Sequence, residues 1–122
     1  DRLGLPKLAE HWRGEVADEG EHRDRLLKRL EFLDAEEVWT HDAPPEVDED
    51  PLKAIERALA VEEAAASLER DGIVAARKAG DEGTADVFRK NLKASESSIY
   101  ELKSWLDAAQ LVTPANWLAN WT

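Results

Sequence analysis

Apolar residues near the start of the chain recur at intervals of three and four: Leu5, Leu8, Ala9, Trp12 and Val16, then Leu26, Leu27, Leu30 and Leu33. That rhythm is a stripe down one side of an α-helix. Pro6 suits a first helical turn and no proline follows until Pro44, so the pattern predicts one long helix over about 5–33. The stripe has a gap between Val16 and Leu26. Its inward positions there fall on Glu19 and His22, three residues apart and therefore on one face.

From about 34 to 50 the rhythm lapses into AEEVWTHDAPPEVDED, with two adjacent prolines and no helical period. Fully extended, such a stretch reaches roughly 55 Å, whereas a helix the length of the first segment is roughly 44 Å long. The loop can therefore cross a whole bundle and set the next helix parallel to the first. A second helix is predicted over about 51–79, from the Asp50-Pro51 start to the glycine stop at Gly80. Its stripe runs Leu52, Ile55, Leu59, Glu62, Ala66, Glu69, Ile73 and Ala76, again with a carboxylate in the middle. A third helix, over about 82–111, turns Val87, Phe88, Leu92, Ile99, Leu102, Leu106 and Ala109 inward, with Ser95 and Ser98 at its centre. Thr113-Pro114 opens a short tail helix over about 114–121. No strand pattern and no repeat occurs, and the fold class is all-α in a single domain.

Composition narrows the chemistry. The 122 residues suit one core. No cysteine is present, which removes disulfides, thiolate metal sites and cysteine nucleophiles. No methionine is present either, so any initiator residue is expected upstream of Asp1. A net charge of −11 without a basic cluster argues against nucleic acid. No apolar run approaches the roughly 20 residues of a membrane span. The expectation is a soluble, cytoplasmic protein.

The order of these signals resembles bacterioferritin from that family's second helix onward. GLPKLAEHWRGEVADEGEHRDRLLKRLEFLD is similar to the second family helix, whose Glu-x-x-His ligand pair falls on Glu19 and His22. LAVEEAA resembles the third, whose ligand glutamate falls on Glu62; NLKASESSIYELKSWLDAAQL resembles the fourth, and VTPANWLANW the short terminal helix. The resemblance implies a ferritin-like four-helix bundle with one long crossover, its first helix absent from the chain, and a buried di-iron carboxylate centre that oxidises Fe(II) within a symmetric shell. Such a centre takes six ligands: one glutamate from each of two helices and a Glu-x-x-His pair from each of the others.

Only three of the six are present, namely Glu19, His22 and Glu62. The second Glu-x-x-His pair falls on Ser95 and Ser98, and a hydroxyl is a poor iron ligand because it neither carries charge nor deprotonates readily. The remaining glutamate belongs to the family's first helix. Haem binding in the family's manner needs a methionine directly after the ligand glutamate, where this chain has Gly20; haem is not expected.

Two readings stay open for Glu19, His22 and Glu62: a partial metal site, or a metal-free buried network of imidazole and carboxylate. Ser95 and Ser98 read as polar filler. Glu69 and Glu96 are placed on solvated faces rather than recruited as substitute ligands. Glu15 and Asp18 read as surface acids, and His11 and His41 as exposed. Trp12 and Trp105 fit buried stripes, whereas Trp39, Trp117 and Trp121 point to interfaces. The expected partners are Fe(II) and other subunits, in a homo-oligomer or an oligomer mixed with related chains. The functional alternatives are iron storage or handling at a degenerate site, with ferroxidase turnover weak or lost, and a metal-free ferritin-like scaffold. A DNA-protecting mini-ferritin would want basic tails and ligands between subunits, and neither appears.

Overall fold

The structure, a computed structural model, describes residues 6–36 and 50–111 together with Asn116 and Ala119. These residues form three α-helices and no strand: α1 (Pro6–Phe32), α2 (Pro51–Lys78) and α3 (Glu82–Leu111). The crossover segment 37–49, with His41 and Trp39, lies outside the described residues, as do Trp117 and Trp121 of the tail.

Each helix end has a local cause. Asp50 caps α2 by accepting the Leu52 amide at 3.0 Å, ahead of Pro51. At the far end Gly80 turns left-handed with φ 73°, the Asp81 amide donates to the Ala76 carbonyl and the Gly80 amide to that of Arg77. This is the paired closure that a left-handed glycine permits. Asp81 then caps α3, accepting the amide of Thr84 at 3.0 Å.

The direction of packing follows from which residues meet. Lys103 reaches Glu63, Ser95 reaches Glu69 and Phe88 meets Gly72, so α2 and α3 run antiparallel. His11 meets Trp105, Arg25 meets Asn91 and Arg29 meets Asp81, so α1 is antiparallel to α3 as well. Helices α1 and α2 are consequently parallel, and the ends of the segment joining them lie at opposite ends of the bundle. Helix α3 packs on both others, whereas α1 and α2 do not touch backbone to backbone.

At one end of the bundle the apolar core centres on Ile55 and Leu102, with Trp12, Leu59, Trp105 and Leu106 packed against them. Burying a side chain such as Ile55 stabilises by about 1.5–3 kcal/mol. At the other end an ion-pair clamp joins α1 to α3. Arg29 donates from Nη2 to Asp81 Oδ1 at 2.7 Å and from Nε to Thr84 Oγ1 at 2.9 Å, and lies over the Phe32 ring. Hydrogen bonds from Thr84 and Arg29 hold the Asp81 carboxyl down to about 2. Gly83 leaves room for the clamp, because a Cβ there would collide with the Arg29 guanidinium. Two expectations are corrected: Val16 is 74% exposed and Leu33 44% exposed. Leu33 lies past the helix end in the turn, and Val16 looks into an open groove between α1 and α2.

Candidate metal centre

That groove has a volume of about 720 Å³ and is lined by Trp12, Val16, Glu19, Val61, Glu62 and Leu102, among others. Its floor is α3 and its walls are α1 and α2, the two helices that do not meet. Its lining mixes apolar side chains with Glu15, Glu19, Glu62 and Arg23.

Glu62 is buried on α2, 8% exposed, and its Oε2 has no hydrogen-bond partner. Burial first, then the neighbouring Glu19, Glu15 and Glu69, push its carboxyl up to about 7. His22 faces inward, and its Nδ1 stands 3.7 Å from Glu19 Oε1, wider than a hydrogen bond. The Glu19 side chain is 59% exposed, at the lip of the groove. Glu19 and His22 lie one helical turn apart on α1, and Glu19 and Glu62 line the same groove, but among the described residues the ligand atoms of Glu19, His22 and Glu62 do not gather within 4.8 Å of one another.

Glu69 is not on a solvated face. It is half-buried one heptad below Glu62; Oε1 accepts a hydrogen bond from Ser95 Oγ at 3.1 Å, and Oε2 is buried without a partner. Burial raises its carboxyl, while the Ser95 hydroxyl and His22 draw it back. Ser95, only 1% exposed, is therefore more than filler, because its hydroxyl sits between the two carboxyls of α2. Ser98 is half-buried and Glu96 exposed. The inward stripe already contained Glu69, at Glu62 plus seven, and periodicity alone placed it correctly.

His11 and Glu15 also depart from expectation. The His11 ring is wedged edge-on between Trp12 and Trp105, at centroid distances of 4.9 and 4.6 Å, and its Nε2 is buried without a hydrogen bond. Glu15 Oε1 lies 3.8 Å from that nitrogen. Burial raises the Glu15 carboxyl, His11 lowers it, and Asp18, Glu101 and Glu19 raise it further. Asp18 is exposed, as expected of a surface acid. Asn91 escaped the sequence reading altogether. It is 2% exposed, four residues before Ser95 on the inner face of α3, and its Oδ1 accepts from Arg25 at 3.0 Å. Gly20 lines the groove with nothing within 4 Å of the point where a Cβ would stand, so close packing does not explain the glycine.

Carboxylate oxygens and an imidazole suit Fe(II), and two buried carboxylate oxygens lack partners.

A three-helix segment with carboxylates and imidazoles turned into its interior is the class that fold and site define. The ferritin-like domain pattern matches residues 1–112, and the chain belongs to the ferritin-like family. Among solved structures it is similar to a mycobacterial bacterioferritin, with 25% identity and a TM-score of 0.91, over 98% of this chain and 74% of that one. No curated protein matches the sequence. Among the described residues no helix is long and apolar enough to cross a membrane.

Proposed function

We propose that the chain is a bacterioferritin-like subunit that takes up a single Fe(II) as cargo at Glu19, His22 and Glu62, with Glu69 beside them, and stores or passes it within an oligomer. The observation that carries this reading is the buried Glu62 carboxyl, its Oε2 without a partner, in the groove that Glu19 also lines. A buried carboxylate is normally paired, and an orphan of this kind suits a cation. Iron bound there would supply redox chemistry; with serines in place of the family's second Glu-x-x-His pair, turnover as a ferroxidase is weak or lost. The groove takes a fourth helix, whose apolar face would cover Val16 and Val61 and complete the bundle. The oligomer is a homo-oligomer or one mixed with related chains.

Because Glu62 must shed a proton to bind, affinity rises between pH 6 and 8. The alternative is a metal-free scaffold, favoured by the Ser95 to Glu69 hydrogen bond, which satisfies part of the cluster without a cation. Anaerobic Fe(II) titration followed by air, with the assembled mass measured alongside, separates the two. Defined binding by the natural chain and its loss in a Glu19→Ala, His22→Ala double variant support iron handling. Assembly of both proteins without iron binding leaves the scaffold.

A further inference from the structure

We propose that His11, Glu15 and Glu101 form a second site for a divalent transition-metal ion, on the seam between α1 and α3. One imidazole nitrogen and two carboxylate oxygens there lie within 4.8 Å of one another. Ligands held about 2.1 Å from a metal at tetrahedral angles are about 3.4 Å apart. Closing the present spread thus takes a movement on the order of an ångström, and the exposed Glu101 side chain can supply it.

The imidazole is the independent sign that a ligand belongs here. Its Nε2 is buried, makes no hydrogen bond and stands 3.8 Å from Glu15 Oε1, beyond hydrogen-bonding reach. A buried ring nitrogen without a partner is uncommon enough to need a reason. Trp12 and Trp105 brace the ring on both sides, so it cannot turn outward without giving up both contacts. An ordinary histidine and glutamate one turn apart would account for two members of the cluster. It does not account for Glu101, which arrives from a different helix. Neither Glu15 nor Glu101 pairs with a lysine or arginine among the described residues. Two ionised carboxylates carry two negative charges, which a dication offsets.

One nitrogen and two oxygens from the protein suit Fe(II), Co(II), Mn(II) or Zn(II), with the other positions left to water. The seam lies two to three turns from His22 along α1, so the two sites are separable by substitution. The proposal does not rest on iron binding at Glu62.

The test uses Co(II) with the chelator-stripped full chain, read by visible absorption, stoichiometry and tryptophan fluorescence. Two of the five tryptophans flank His11, so cobalt bound at that ring quenches part of the emission. The natural chain and a His22→Ala variant are expected to quench alike. Glu101→Gln, at an exposed position, and His11→Phe, which keeps an aromatic ring between the tryptophans, are expected to lose the quench and weaken that binding event about tenfold or more. Should His11→Phe fail to fold, Glu101→Gln decides alone. Quenching unchanged in Glu101→Gln, absent from every protein, or abolished only by His22→Ala overturns the site.

Discussion

The two ends of α1 treat charge in opposite ways. Near its C-terminus Arg29 finds Asp81, Thr84 and the face of Phe32, and Asp81 in turn holds Thr84 by backbone and side chain. Beside its N-terminus and middle, His11 Nε2 on α1 and Glu62 Oε2 and Glu69 Oε2 on α2 are buried with no hydrogen bond; the remaining such atom among the described residues is Arg89 Nη1 on α3. A satisfied network holds helices in register, whereas an unsatisfied one costs stability unless something else binds. The contrast separates the part of the molecule that is architecture from the part that has room for chemistry. It is visible without any ligand.

The sharpest way to break the architectural end is Gly72→Ala, because a methyl there would lie 2.8 Å from the Phe88 ring of α3. Overpacking of this kind costs about 1–3 kcal/mol, more than the roughly 1 kcal/mol that alanine gains in helix propensity. Chemical denaturation is expected to show net destabilisation. Arg29→Ala should have a smaller effect of a different kind. It removes the clamp but leaves α2 and α3 joined, so amide exchange is expected to quicken in α1 while the other two helices stay protected.

At the chemical end the sign reverses. Glu62 has a folded-state affinity for protons raised to about 7 from 4.5. Its contribution to stability is therefore fully present below about 4.5 and is lost as pH rises toward 7. Asp81 works the other way, held down to about 2, so its contribution disappears only as pH falls below its usual 3.8. Between pH 5 and 7 the Glu62 contribution stands clear of it. In the presence of chelator, Glu62→Gln is expected to flatten the decline in melting temperature over that window and to melt slightly higher than the natural chain at pH 7.5. A variant that melts lower at every pH would mean that Glu62 is structural after all.

Much of the fold was legible because each helix carries its own stripe. Leu8, Ile55, Ala66, Ala76 and Leu102 lie on those stripes and are buried. Pro51 and Gly80 marked helix ends for reasons local to the backbone. What stripes do not reveal is which helix a side chain meets. His11 and Glu15 read as surface residues on α1 alone, and only Trp105 and Glu101 of α3, about 90 residues away in sequence, draw them inward. Val16 failed in the converse sense: its position on the stripe is right, but no helix among the described residues covers it. Glu69 lies at heptad spacing from Glu62 and Ser95 on the inward face of α3, yet they were read as a solvated acid and as filler. Their hydrogen bond was not legible, because it depends on how two helices are set against each other.

That the backbone of α1 meets α3 but not α2 also has a bearing on how the molecule comes together. The α2–α3 pair is joined by a tight turn and makes contacts between residues near in sequence, so it can assemble early, whereas α1 must close a long loop to dock. Both clusters of ligand residues draw members from α1 and from the pair, and neither exists until that last step. A cation held between them would act as a fastener on the latest-formed contact. At 100 times its dissociation constant it would add about 2.7 kcal/mol to the docked state, so metal supply would set how much of the chain is fully assembled.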